Sequence, residues 1–531
     1  MKTFTRYLLI SLITLTQAFA LDESCDLWLQ KIKGAMKNPT ALQVLTPGIA
    51  GLKINCSDPK EAEKQIFEAF WYLESSKKLD SSLLLLVRNI KKENKIPALK
   101  NVSEELAVQT LGLAIRSELY DRGYFKKGYQ FPGWETITQN QERLLNALPR
   151  VSSFRSETFR QVFLKLTNMP MTTVNKTEVL ESNSRAMDKR IEIIRNANSS
   201  IKLATWGFHD DSTGKRVAAE LIKARRRNVK VQILVDSLVA QRHGYKSELQ
   251  RMKNSGIEVI GWKSKENPFY GMHSKFLIVD DLYCIEGGRN IGDLYLQDNK
   301  WSDLDVYHEG SIAEVINPHL FAKLWNEQIN LQNLTYKKLP LKTGVQTPMG
   351  QTGTFLSTPQ FKKSDAVSNI TVYAVMNAKK EIEIANAYFI STPGLKRALI
   401  GAIGRGVKVR IYSNSMKSVD EPIVSLPIQK SLKEMYANGA EIYLKNGQTL
   451  HTKIFRADDL SWYGSYNLHP RSGRYELEKV TVTTDYALNR DLTEALGDSL
   501  RQGKKVTSAS ELALPDQAGL DLLFEAIFNQ L

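Results

Sequence analysis

Cysteine is almost missing, with three in 531 residues. One disulfide is the most that number allows, so covalent cross-links do not organise this fold. Cys25 and Cys56 share the first helical segment and can pair outside a reducing cytosol. Cys284 sits in an apolar strand, Leu282 to Ile285, and reads as a buried inert thiol. Low-complexity tracts are missing too, and a composition of 42% apolar and 24% charged residues excludes disorder as the starting assumption. No run after residue 20 is apolar enough to span a bilayer. Histidine is scarce, at seven, and two of the seven carry most of the chemistry.

What the chain has in excess is positive charge, +15. Such a balance favours polyanions, nucleic acid or an anionic lipid surface, without choosing between them. Lys2 and Arg6, the apolar run from Tyr7 to Leu15 and the triplet Ala18-Phe19-Ala20 give residues 1–20 the form of an export signal. Only two basic residues leave with it, so the basic character belongs to the folded part.

The chain is organised around Met272-His273-Ser274-Lys275-Phe276-Leu277-Ile278-Val279-Asp280 and its echo, Leu450-His451-Thr452-Lys453-Ile454-Phe455-Arg456-Ala457-Asp458. Both read His-x-Lys-x-x-x-x-Asp. Each is followed by a small-residue turn ending in asparagine, Gly287-Gly288-Arg289-Asn290 and Gly464-Ser465-Tyr466-Asn467. The offset between the copies also carries Val229-Lys230-Val231 onto Val407-Lys408-Val409, the mark of a duplicated unit. His209, His243, His308, His319 and His469 have no such context.

Around the motifs, alternating segments predict strands at 201–208, 229–235 and 257–262 with helices at 214–227 and 247–254. The second copy predicts the same order: strands at 382–389, 407–412 and 441–444, helices at 394–404 and 428–437. Parallel strands with crossover helices follow. The basic run Lys223 to Arg227 is expected to be a solvated helix end. The chain divides into an export signal (1–20), a helical N-terminal region (21–150), a first α/β repeat (151–335) and a second (336–531). The polar stretch 331–360 is expected to be an exposed crossover. Tyr120 to Trp134, where aromatics alternate with basic and turn residues, suits either a lipid interface or a loop packed down by its own aromatics.

In His-x-Lys the two side chains are expected to share one face of a strand, and the Gly-rich turn to aim Asn290 back at them. One copy lacks both a nucleophile and a separate general acid. Two copies facing each other complete the set in a single chain, so a monomer is expected to be active. A phosphodiester suits the centre: Lys275, Lys453, Asn290, Asn467 and Ser465 can donate to its oxygens without a metal or cofactor. One histidine attacks phosphorus, and the other gives its proton to the leaving alcohol. Asp280 and Asp458 complete the motifs. A carboxylate should steady each imidazole, Glu478 in the second half and Asp303 or Asp305 in the first.

These motifs resemble those of the phospholipase D superfamily. Gly287 to Tyr295, Tyr388 to Gly394, and Asn414-Ser415 with Asp420 are similar to stretches of bacterial cardiolipin synthases. The resemblance covers about Val151 to the C-terminus. It implies an α/β fold of two pseudo-twofold-related repeats forming one catalytic unit, preceded by the helical region, with His273 as nucleophile and His451 as general acid. Three positions depart from the pattern. Gly288 stands where many members have serine, His469 where an acidic residue is common, and Glu476 where asparagine is frequent. The expected activity is phosphatidyl transfer on a phospholipid at a peripheral membrane surface. Release of phosphatidic acid by hydrolysis, a nuclease acting on nucleic acid, and a lipid- or polymer-binding protein with an idle site are the other readings.

Overall fold

The computed structural model describes residues 67–92 except 69, 103–125, 133–341 except 243, 347–357, 365–421 and 424–514. The export signal, Cys25, Cys56, His243 and residues 126–132, 342–346 and 358–360 of the two connecting stretches lie outside them. The chain forms two compact units. In the first, Leu79, Leu83 and Val87 of the helix Leu79–Lys92 recur every four residues and are buried, as are Leu111, Ile115 and Leu119 of the helix Glu104–Asp121. Arg116 ties the helices together through Glu74 at 2.9 Å and Asp80 at 2.8 Å. Trp71 meets Tyr124 and Phe125 at 6.0 and 5.0 Å, so the described start of the aromatic stretch contacts its own unit, with Phe125 still exposed.

The second unit holds both repeats. The first supplies β1 (Lys176–Leu180), β2 (Ser200–Thr205), β3 (Lys230–Asp236), β4 (Glu258–Trp262), β5 (Gly271–Met272), β6 (Phe276–Val279), β7 (Tyr283–Gly287) and β8 (Asp305–Glu309). The second supplies β9 (Thr352–Ser357), β10 (Glu381–Asn386), β11 (Lys408–Asn414), β12 (Glu441–Lys445), β13 (Lys453–Ala457), β14 (Leu460–Gly464), β15 (Glu476–Thr483) and β16 (Lys504–Lys505). Two sheets result, ordered β1-β8-β7-β6-β2-β3-β4 and β9-β15-β14-β13-β10-β11-β12, the latter extended by β16. The orders are identical once equivalent strands are matched. β2, β3 and β4 run parallel and β6 antiparallel to β2, as β10 to β13 do in the second sheet.

Both faces of the first sheet are covered, which is why its strands read as continuous apolar runs. The helices Ser212–Arg226 and Lys246–Asn254 bring Val217, Leu221, Leu249 and Met252 onto one face. Asn317–Gln332 brings Phe321, Leu324 and Trp325 onto the other. At the basic end of the first of these helices, Arg227 donates to the carbonyls of Ile194, Arg195 and Ala197. The helix Trp134–Asn146, before the first repeat, and Glu157–Thr167, at its start, pack on the second, where Gln141 donates to Ser368 and Asn369 at 2.9 and 3.1 Å and Phe163 meets Phe355 at 5.8 Å.

Three expectations need correction. The crossover is not merely an exposed link: Thr352 to Ser357 form β9, a strand buried against β15 and joined to it by Thr352 and Thr483 hydroxyls 2.9 Å apart. Its polar threonines, which read as loop, find partners in the next strand. His273, Ser274 and Lys275 are not on a strand either, because the chain there leaves β5 and has yet to enter β6. Third, Asp280 and Asp458 are not gathered with the histidines. Four strand residues separate Lys275 from Asp280, a span of about 17 Å. Asp280, at φ 56°, accepts the backbone N–H groups of Asn198, Ser199 and Ser200 at 2.8, 2.7 and 2.8 Å. Asp458, at φ 50°, accepts those of Lys379, Lys380 and Glu381 at 2.7, 3.0 and 3.1 Å. Each carboxylate clamps the entry to the neighbouring strand.

The halves meet by exchanging strands. β5 lies parallel on β15 of the other half, and Ser302 makes the equivalent bridge to Leu450. Below them Lys479 of the second half forms a buried ion pair with Glu286 of the first, and Thr481 also donates to that carboxylate. Against the cost of burial, Lys479 and His308 hold Glu286 ionised far below the usual carboxylate range.

Removing one clamp should cost stability without touching the centre. Asp458→Ala strands three amides and is expected to lower unfolding free energy by about 1–3 kcal/mol in urea titrations, with Asp458→Asn losing less because asparagine accepts and tolerates positive φ. An unchanged midpoint for the alanine variant would show the clamp to be idle.

Candidate active site

The strand exchange delivers each histidine to a carboxylate of the other half. His273 donates its backbone N–H to the carbonyl of Leu477 at 2.9 Å, which sets its ring beside Glu478, the next residue, at 3.0 and 3.2 Å from Nδ1. His451 does the same with Ser302 at 2.7 Å, and its Nδ1 lies 2.6 Å from Asp303. The expectation of one carboxylate per half holds as a count, but the partners are crossed. Asp305 is not one of them: it is buried with Arg190 at 2.9 Å and Arg289 at 3.1 Å. A carboxylate on Nδ1 favours the tautomer with its proton there and leaves Nε2 as the reactive atom.

The lysines complete the centre. Lys275 and Lys453 are buried, and each donates to the carbonyl of the histidine two residues before it. Lys453 Nζ also stands 2.9 Å from His451 Nδ1. Asn290 and Asn467 are buried at the ends of their turns. Asn290 Oδ1 accepts the N–H of Gly207 at 3.1 Å, whereas Asn467 Oδ1 has no hydrogen-bond partner among the described residues. Ser465 does not point to a substrate. Its hydroxyl is donated to Glu478, as is that of Ser472 at 2.6 Å. In the first half the corresponding glycine is forced: a Cβ on Gly288 would fall 2.3 Å from Asp303 Oδ1.

Several neighbours were not legible as site residues. Trp301 stacks on His451 at 5.5 Å and 26°, with Tyr295 edge-on at 5.1 Å, while His273 has Trp206 at 6.1 Å. Glu476, noticed in the sequence only as a departure, lies 3.8 Å from His273 and is held by Arg471 at 2.9 Å and Ser472 at 3.1 Å. His469 caps the short helix Pro470–Tyr475 by accepting the N–H of Ser472 at 3.1 Å. The signal available for Glu476 was its period-two spacing from Glu478, which puts both on one strand face. Among the described residues, His273, Glu476 and Glu478 offer ligand atoms within 4.8 Å of one another. Those atoms already serve Arg471, Ser465 and Ser472, and Lys275 stands beside them, so a cation would have to break existing bonds.

Burial sets the charge state. It pushes Lys275 down to about 7 and Lys453 to about 8. His273 falls well below its usual value through burial and then Lys275; His451 falls through burial and Lys453, with Asp303 opposing. Burial raises Glu478, whereas Asp303, despite burial, is held low by His451. The two imidazole–carboxylate pairs are therefore electrically unequal.

An anion in the centre should return the missing protons to the lysines. Calorimetry of sulfate binding at pH 8, in buffers of different ionisation enthalpy, is expected to show uptake of about one proton per anion, reduced in Lys453→Met. Binding without proton uptake would mean that both lysines are already charged in the free protein.

A cardiolipin synthase, PLD-like domain family matches residues 191–325 and 372–499, the two repeats. The chain is 23% identical over 376 residues to a probable cardiolipin synthase, YwiE, of Bacillus subtilis (strain 168), covering 68% of this chain and 73% of the relative. It is 25% identical over 357 residues to cardiolipin synthase A of Pseudomonas putida (strain GB-1), covering 65% and 72%. Its fold is similar to that of a phosphatidylserine synthase from Haemophilus influenzae, with a TM-score of 0.56 at 16% identity over 72% of this chain and 96% of that one. With two matched domains, each placing one His-x-Lys pair at the same docked centre, the chain belongs to the phospholipase D superfamily.

Proposed function

We propose that the protein is an exported phosphatidyltransferase of the cardiolipin synthase kind. It cleaves a glycerophospholipid at the headgroup side of phosphorus and passes the phosphatidyl group to a lipid alcohol. The observation that carries this reading is the crossed pair of imidazoles, each with Nδ1 on a carboxylate, closing round Lys275 and Lys453. His273, the harder of the two to protonate next to a carboxyl raised by burial, attacks phosphorus through Nε2. The bond from phosphorus to the headgroup oxygen breaks, and His451, backed by the ionised Asp303, gives that oxygen its proton. The acceptor alcohol then returns a proton to His451 and attacks phosphorus, and the phosphorus–nitrogen bond breaks. The two lysines offset the charge that builds on the nonbridging oxygens.

The names of the relatives support a phospholipid substrate, and the net charge of +15 supports work at an anionic membrane surface. Residues 1–20 support export, and N-terminal sequencing of the protein from the producing cell is expected to begin at Leu21.

The test is mass spectrometry of products from phosphatidylglycerol vesicles in EDTA. Cardiolipin and glycerol are expected, with His273→Ala slower by about 10³-fold or more. Phosphatidic acid alone would make the protein a hydrolase, and no lipid product at all would redirect the same assay to nucleic acid. In His451→Gln both headgroup release and transfer to the acceptor should slow, because the same imidazole serves both steps.

A further inference from the structure

The carboxylates round the centre are engaged, with one exception. Glu478 is taken by His273, Ser465 and Ser472, Asp303 by His451, and Glu476 by Arg471 and Ser472. Asp420 is only partly buried, forms no ion pair among the described residues, and accepts a single hydroxyl, that of Tyr388, at 2.7 and 2.8 Å from its two oxygens. A carboxylate has about four acceptor positions, so most of this one's capacity is open.

Its place is set by two braces at the C-terminal ends of β10 and β11. Asn386 at the end of β10 accepts the N–H groups of Tyr388 and Leu468 at 3.3 and 3.0 Å, tying the Tyr388 loop to the turn that carries Asn467. Asn414 at the end of β11 clasps Leu450 from both sides, donating to its carbonyl and accepting its N–H, both at 2.8 Å. Thr449 donates to the carbonyl of Ser418 at 2.7 Å. The loop bearing Asp420 is thus sewn to the residues just before His451. Asp420 lies close enough to His451 and Lys453 for its charge to favour protons on both.

An open carboxylate at this point repels the phosphate and the anionic lipid around it, so it must meet a part of the substrate that donates hydrogen bonds. His451 serves the oxygen that leaves and the oxygen that arrives, so the neighbouring donor belongs to the alcohol. We infer that Asp420, oriented by the Tyr388 hydroxyl, is the acceptor subsite and selects polyols such as a glycerol headgroup, its carboxylate taking the hydroxyls not used in transfer. This rests on the phosphatidyl-transfer reading. An ammonium-bearing alcohol would have to sit beside Lys453, which favours a neutral polyol.

The test gives the full protein phosphatidylglycerol vesicles together with deuterated glycerol, ethanol and ethanolamine at equal concentration, and resolves the products by mass. In Asp420→Asn the ratio of labelled phosphatidylglycerol to phosphatidylethanol is expected to fall about tenfold, whatever the change in total rate. Tyr388→Phe, which keeps the carboxylate but frees it, should move the ratio the same way by less. An unchanged ratio in both variants overturns the inference while leaving phosphatidyl transfer intact. Selective loss of the ethanolamine product overturns the choice of polyol. Absence of every transfer product from the wild type overturns transfer, and this inference with it.

Discussion

Each of the two motif histidines, His273 and His451, has its proton partner in the other half of the chain. That crossed dependence is the constraint under which the rest of the second unit is built. A backbone hydrogen bond from each histidine to the residue before the opposing carboxylate fixes ring and acid together, so the centre exists only when the halves dock in one register. The buried Glu286–Lys479 pair explains how a single register is held. A charged pair in a core contributes little net stability, but any slip would leave both charges unpaired, at a cost of several kcal/mol.

Burial and function pull against one another at the centre. Closing the halves removes the lysines and histidines from water, which favours their neutral forms; the carboxylates supplied from across the interface limit that effect. What remains is a site whose cations are incompletely charged until an anion arrives.

Much of the architecture was legible because duplication writes everything twice. The common offset located both sheets, their crossover helices and the motif turns, and period-two and period-four patterns placed most element ends within a few residues. The crossed partners were not legible, because sequence reports proximity along the chain whereas Glu478 reaches a ring 205 residues away through a docking event. Asp280 and Asp458 misled for the opposite reason. They recur with the motif and so look chemical, yet four intervening strand residues already put them at the far end of it. β9 was hidden by its threonines, whose hydroxyls pair inside the protein and therefore do not mark a surface.

Gly288 shows where the two copies have parted. On one side a serine hydroxyl reaches the longer carboxylate; on the other the hydroxyl is gone, and the shorter carboxylate occupies the space where a side chain would begin. Two interchangeable ends have become two different ends by the loss of a hydroxymethyl group and one methylene. The centre has thereby acquired a polarity.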